Sequence, residues 1–253
     1  MNVGKNELVS GLSKLGLKPG HTVLIHSSLS SFGHVDGGAD TVIDAILDVI
    51  STDGTMIVPT LTGNETLSPS NPPKFDPRST PCWTGRIPEI FRQRPEAVRS
   101  LHPTHSVAAM GRDATWITAE HINSITPCDE ISPYGKLAQF DDGYILLIGV
   151  THASSTMFHH VEELAGVDYH MQNEFSRCAI TVGERTIHRH YLLHKYGMPR
   201  NFDIMEPVFM EQGVQTITQV GTATLRLIKA RPLVELTLRC LRANAHILCA
   251  TKL

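Results

Sequence analysis

Short apolar runs alternating with amphipathic helical stretches constrain this chain more than any other feature. Lys5 to Leu17 places Leu8, Leu12 and Leu15 at helical spacing. The turn Lys18-Pro19-Gly20 leads into His21-Thr22-Val23-Leu24-Ile25-His26, which reads as a buried strand. Gly37-Gly38-Ala39-Asp40 opens a second helix carrying Val42, Ile43, Ile46, Leu47 and Ile50. Asp53-Gly54 then turns into the strand Thr55–Pro59. Tyr144-Ile145-Leu146-Leu147-Ile148-Gly149-Val150 is a third apolar run, with a helix expected after it. This alternation predicts an α/β layered fold.

The rest of the pattern is thinner. Thr62 to Trp83 is rich in Pro, Ser, Asn and Thr and reads as a long loop, the kind that serves as a lid or binding loop. Pro88 to Arg94 predicts a short helix with Ile87, Ile90 and Phe91 inward. Arg99 to Gly111 runs from a turn into a strand, Asp113 to His121 predicts a helix, and Ser132-Pro133 starts another. Cys178–Val182 and Thr186–Tyr191 predict a hairpin around Gly183-Glu184-Arg185. Gly221 to Asn244 reads as strand then helix, with Leu233, Leu236, Leu238 and Leu241 packing. With 253 residues, the expectation is one domain over 1–253, or two interlocked α/β subdomains sharing a core.

A net charge of −3 gives no electrostatic case for nucleic acid or a membrane surface. No apolar run approaches the ~18 residues that cross a bilayer. Met1-Asn2-Val3-Gly4-Lys5 has no apolar signal region. Five cysteines, an odd number without CxxC, argue against a disulfide framework or a thiolate zinc site. A reduced, cytoplasmic enzyme is expected. The fourteen histidines raise the question of a metal, but HExxH is absent and the cluster His188/His190/His194 has no carboxylate set beside it. The expectation is no metal.

Chemistry concentrates in Thr156-Met157-Phe158-His159-His160-Val161-Glu162. On a helix, His159 and Glu162 share a face, about 5–6 Å apart at Cβ. A carboxylate beside an imidazole fixes its tautomer and raises its basicity, as a general base needs. The competing reading is a surface His/Glu pair. The serine- and glycine-rich stretch Leu24 to Asp40 offers backbone N–H groups and a helix start that suit a pyrophosphate, although no P-loop or GxGxxG motif is present. Arg99-Ser100 and Ser106-Val107 form a second phosphate-competent patch, because arginine presents a fork of donors. Read locally, they could equally be a surface arginine and a strand start.

Taken together, these motifs resemble the aminoglycoside 3-N-acetyltransferase family. The blocks run in order: His26-Ser27-Ser28-Leu29 with Gly37-Gly38; Phe75-Asp76-Pro77 through Gly85-Arg86-Ile87-Pro88-Glu89; Arg99 through Val107; Ser132 through Leu137; and Thr156 through Glu162. Val220-Gly221-Thr222-Ala223 with Arg226-Leu227 and Ala230 adds a carboxy-terminal block. The resemblance implies a layered α/β/α fold with a central mixed sheet, unlike the GNAT acetyltransferases. It implies acetyl-CoA as co-substrate, cradled by Ser27, Ser28, Leu29, Arg99, Ser100, Ser106 and Val107. It places His159 and Glu162 at the reacting centre, and Met171 to Pro207 follows the family pattern least.

The expected reaction acetylates the 3-amino group of the 2-deoxystreptamine ring of an aminoglycoside by direct transfer. His159 acts as base, and the Thr156 hydroxyl or backbone N–H groups face the oxyanion. Asp76, Asp129 and Glu130 are the candidate acids for a polycationic acceptor; each could equally be a solvated loop acid. Antibiotic resistance is the role such an enzyme would have, as a monomer or homodimer. Three alternatives stay open: another amine metabolite or polyamine as acceptor, an acyl-CoA binding protein without turnover, and a metallohydrolase built on the histidines. The choice of His159 over His160 rests on the spacing to Glu162 and on the family pattern.

Overall fold

The computed structural model describes residues 2–250. Its centre is a seven-stranded mixed sheet. In spatial order the strands are Gln215–Val220, Ala223–Lys229, Gly143–Ile148, Thr22–Ser27, Thr55–Pro59, Val107–Gly111 and Val98–Arg99. Thr22–Ser27 runs parallel to both of its neighbours; every other pairing in this sheet is antiparallel.

Side chains leave a strand on alternating faces, so a strand covered on both sides reads as a continuous apolar run. Val23 and Ile25 point into one core, with Met56, Val58, Leu146 and Ile148, under the helices Lys5–Leu15 and Gly38–Ile50. Leu24 points into the other, with Ile57, Ile145 and Leu147, under the helices Met157–Ala165 and Ala230–Ala243. The first helix stops where Gly16 takes the left-handed conformation that closes a helix end (φ 109°).

Beside the main sheet stands a smaller one, made of Arg185–His194, Met171–Val182 and Lys74–Phe75. The expected hairpin is therefore present but longer at both ends. The long 62–83 loop contributes Phe75 to the small core with Cys178, Ile180, Tyr191 and Leu193. Leu233 and Leu241 are buried as expected, while Val234 and Thr237 take the inner positions and Leu236 and Leu238 are partly buried. No helix among the described residues is long and apolar enough to cross a membrane.

Candidate active site

The neighbouring parallel strands Thr22–Ser27 and Gly143–Ile148 send their chains to opposite faces. After Ser27 the chain turns toward the helix Gly38–Ile50; after Ile148 it turns toward Met157–Ala165. Where two such connections part, a crevice opens beyond the carboxyl ends of the strands. A cavity of ≈ 380 Å³ lies there, lined by His26, Ser27, Pro59, Trp83, Thr84, Gly85, Ser155, Thr156 and His159 among others. Ser27 and Gly85 also line a second basin of ≈ 740 Å³, which continues along Ser28, Leu29, Ser30, Gly37, Gly38 and Arg86. The two form one groove with a shared waist.

His159 is at the head of this groove. Its Nδ1 lies 2.8 Å from Glu162 Oε2; its side chain is 28% exposed and that of Glu162 is 0% exposed. Glu162 also holds Arg200 Nε at 2.8 Å and lies 3.2 Å from His170 Nδ1. Burial opposes ionisation of Glu162, but the hydrogen bond from His159 and the charges of His159, His170 and Arg200 outweigh it and bring its pKa to about 2. A carboxylate that stays ionised keeps the proton of His159 on Nδ1 and leaves Nε2 as the free nitrogen.

The same helix carries Glu163, which faces another way. It accepts hydrogen bonds from Thr126 Oγ1 and from the backbone N–H of Cys128, and pairs with His194 Nε2 at 2.6 Å. Burial pushes its pKa up to about 8. His160 is buried and bonded through Nδ1 to the carbonyl of Cys128 at 2.6 Å. That anchoring separates the two neighbouring histidines: His159 meets the groove and His160 meets the core. His26 is buried against Thr156, whose N–H points at His26 Nε2 at 3.4 Å, and burial brings the His26 pKa to about 3.

The remaining residues singled out in the sequence divide. Ser27, Ser28 and Leu29 line the basin and Thr156 lines the cavity. Arg99, Ser100, Ser106 and Val107 do not reach either. The guanidinium of Arg99 donates to the carbonyls of Pro77, Thr80 and Thr60 and to the hydroxyls of Thr60 and Ser106. Ser100 Oγ is bonded to His121 Nδ1 and receives the N–H of Val107, and Ser106 Oγ donates to Thr60 O. These residues tie the 60–80 segment to the sheet edge.

Asp76 and Asp129 also have local partners. Asp76 accepts from the N–H groups of Arg78 and Ser79, and Asp129 from Ser124, Ile125 and Ser132. Both cap turns, and Glu130 is exposed away from the groove. The acid beside the cavity wall is instead Asp203, which accepts from Thr151 Oγ1 at 3.0 Å and from the N–H of Ala153 at 3.3 Å.

Local spacing marks neither His170 nor Arg200, groups His194 with His188 and His190 rather than with His159, and leaves Arg86 without a part of its own. Arg86 sits inside a block already singled out, next to a glycine at positive φ (Gly85, 115°), and that pairing was its available signal. The other three are 7 to 37 residues beyond Glu163, and no local spacing links them to it. Near His159 the structure gathers two groups that could hold a cation, His159/His170/His194 and His105/Cys128/His194.

Comparison with known proteins agrees with this architecture. The family model for aminoglycoside 3-N-acetyltransferases matches residues 24–242. The SPbeta prophage-derived aminoglycoside N(3')-acetyltransferase-like protein YokD of Bacillus subtilis (strain 168) is 38% identical over 176 residues, which are 62% of this chain and 64% of that protein. Aminoglycoside N(3)-acetyltransferase VII of Streptomyces paromomycinus is 30% identical over 92% of this chain and 89% of its own length. The crystal structure of a variant of aminoglycoside acetyltransferase AAC(3)-IVa in complex with a gentamicin superposes with a TM-score of 0.84 at 28% identity, covering 98% of this chain and 92% of that one. From its sequence and its fold, this chain belongs to the aminoglycoside 3-N-acetyltransferase family.

Proposed function

We propose that this protein moves the acetyl group of acetyl-CoA onto the 3-amino group of the 2-deoxystreptamine ring of an aminoglycoside, within one domain spanning 1–253. The observation that carries the reading is the half-open His159, hydrogen-bonded to the fully buried Glu162, at the head of a groove whose two parts hold ≈ 380 and ≈ 740 Å³.

The basin suits the phosphate end of the co-substrate. Gly33, Gly37 and Gly38 all have positive φ (82°, 79° and 64°), and a Cβ at Gly38 would meet nothing within 4 Å. Such turns aim N–H groups into a concavity, and the 13-residue helix beginning at Gly38 adds the positive end of its dipole. Arg86 supplies the cation at the rim. The acyl end then passes the waist at Ser27 and Gly85 toward His159.

An aminoglycoside amine is mostly protonated at neutral pH and must lose a proton before it can attack. Nε2 of His159 takes that proton while Glu162 holds the ring and stabilises the imidazolium, help worth about 10²–10⁴-fold. The amine nitrogen forms a bond to the thioester carbon, the carbon–sulfur bond breaks, and the second proton shed by the nitrogen passes to the departing sulfur, which leaves as the CoA thiol. The oxyanion on the carbonyl needs donors roughly 2.7–3.1 Å away, and Thr156 or backbone N–H groups of the 153–156 turn are the candidates. Asp203, rather than Asp76, Asp129 or Glu130, receives a further ammonium of the acceptor. Acetylation removes one positive charge from a polycation, and antibiotic resistance is the role this reading assigns.

The test is CoA release with a panel of aminoglycosides, with mass spectrometry locating the new acetyl group. Modification at the 3-amino position supports the reading. Acetylation of a different amine class would keep the chemistry and replace the acceptor.

A further inference from the structure

Three imidazoles meet behind the groove wall, and each is backed by a glutamate side chain. His159 Nδ1 lies 2.8 Å from Glu162 Oε2, and His170 Nδ1 lies 3.2 Å from the same oxygen. His194 Nε2 lies 2.6 Å from Glu163 Oε1. One ring nitrogen from each of the three falls within 4.8 Å of the other two. Their second nitrogens remain to be used: Nε2 of His159, Nε2 of His170 and Nδ1 of His194. Nε2 of His170 is buried and has no hydrogen-bond partner, a state that buried polar groups avoid.

We propose that His159, His170 and His194 form a binding site for a zinc-class divalent cation, and that its occupation switches acetyl transfer off by taking the free lone pair of His159. Three neutral imidazoles plus one open position are a common donor set for Zn²⁺. Metal-bound histidines usually have a carboxylate or carbonyl on their other nitrogen, which sets the tautomer and strengthens the ligand. Here His159 and His170 have the Glu162 carboxylate there, and His194 has the carboxyl group of Glu163. Bound nitrogens sit about 2.0–2.1 Å from zinc, so the rings would draw inward from their present spacing.

Arg200 bears on this. Its Nη2 lies 3.2 Å from His170 Nδ1, which can accept from it and leave the proton on the unpartnered Nε2. Shifting that proton to Nδ1 places it against Glu162 and opens Nε2 to the cation. Arg200 stays neutralised by its 2.8 Å bond to the other oxygen of Glu162.

The second cluster, His105/Cys128/His194, shares one ligand and is the weaker candidate. All three members are buried, without the opening to the groove that His159 provides. Burial, together with Glu163, Asp129 and Glu162, holds the Cys128 thiol well above its ordinary pKa, and a thiol that keeps its proton is a poor ligand.

The inference rests on the acetyl-transfer reading only for its effect on turnover; binding is read separately. The experiment titrates the chelator-stripped full chain with Zn²⁺ against a chromophoric chelator, and with Co²⁺ by visible absorption. One Zn²⁺ per chain is expected, with the strong visible bands of four-coordinate Co²⁺ and no thiolate charge-transfer band. His170→Ala and His194→Ala, each checked for its fold by circular dichroism, should bind Zn²⁺ about 100-fold more weakly or worse. The wild-type Co²⁺ spectrum needs no variant, so the result stands even if a substitution unfolds the chain. Failure of the wild type to bind stoichiometrically, or undiminished binding by both folded variants, overturns the site. A thiolate band abolished by Cys128→Ser overturns it too and moves the metal to the other cluster. One equivalent of Zn²⁺ should abolish CoA release and a chelator should restore it; full turnover by the zinc-loaded protein overturns the switch. Were the zinc-free protein inactive toward every amine, the acetyl-transfer reading would fall while the titration still decided the metal site.

Discussion

The two ends of the groove are built from different materials. The basin at 27–38 is made largely of backbone: serines, three glycines at positive φ and the start of a helix, with Leu29, His34, Val35 and Arg86 around them. The head is made of side chains: His159, Glu162, His170 and Arg200 in one hydrogen-bonded group, with Glu163 and His194 beside it. Backbone donors depend on local conformation, so the glycines at positive φ are fixed while the serines between them tolerate exchange among small residues. A buried charged network depends on every member, because an unpaired partner is left in a medium that cannot solvate it. Substitutions at the head should therefore change turnover and stability, and substitutions at the basin should change co-substrate affinity.

The largest effect is expected from His159→Ala, with kcat lower by about 10²–10⁴-fold and acetyl-CoA binding retained. Steady-state kinetics with a separate binding measurement would show it, and near-normal turnover would end the base assignment. Glu162→Gln comes next. It leaves Arg200 without its buried counter-charge, so we expect a stability loss of about 3 kcal/mol, read by denaturant unfolding, beside a kcat about tenfold lower. A loss of turnover with no loss of stability would mean that the network is not the stabilising unit described above.

Gly149→Ala probes the junction of the two ends. Gly149 has φ 62°, and a Cβ there would lie 1.8 Å from Ser31 Oγ and 2.1 Å from Ser31 Cβ. The 28–31 turn must shift, so KM for acetyl-CoA should rise about tenfold while kcat changes less, a pattern that removal of uniform binding produces. Equal KM values would show that the turn does not hold the co-substrate.

Arg99→Ala separates structural from co-substrate roles. The expected loss is about 1–3 kcal/mol, from carbonyls left without donors, or roughly 2–4 °C in Tm per kcal/mol. KM for acetyl-CoA should not change; a selective rise would return Arg99 to the phosphates.

The smallest effect concerns Glu89, which holds Arg92 and the N–H of Cys82 and so steadies the segment carrying Gly85 and Arg86. Burial opposes its ionisation, but the bonds from Arg92 and Cys82 outweigh it and bring its pKa to about 2 from the ordinary 4.5. A depressed folded-state pKa means a stability contribution that is full above the unfolded value and fades as pH falls from about 4.5 toward 2. Unfolding followed across that window should show a shallower slope for Glu89→Gln than for the wild type; identical slopes would contradict the pairing.

The difference in materials also explains what could be read from the sequence. Val23–Ile25, Thr55–Pro59 and Leu8/Leu12/Leu15 declare themselves because each element's burial follows from its own period. The basin was legible for the same reason, since its glycines and serines are contiguous. His159 and Glu162 were legible because helical spacing puts them together. Arg200, His170 and His194 were not, because they arrive from the long hairpin and the segments flanking it, whose pairing places them but whose sequence does not mark them. Arg99 shows the opposite case. Its fork suits phosphate, yet backbone carbonyls at 60, 77 and 80 satisfy the same donors. The strand Gln215–Val220 and helix Glu206–Glu211 drew no expectation, since alternation in Gln-Thr-Ile-Thr-Gln-Val is weak and the helix is a turn and a half.

The most direct measurement incubates the wild type and His159→Ala with acetyl-CoA and a gentamicin-type aminoglycoside and follows free thiol and product mass together. The account predicts stoichiometric thiol release with one acetyl group on the 3-amino nitrogen for the wild type, and a rate at least about a hundredfold lower for the variant. Equal rates for the two proteins, or no acetylated product from the wild type, would contradict it.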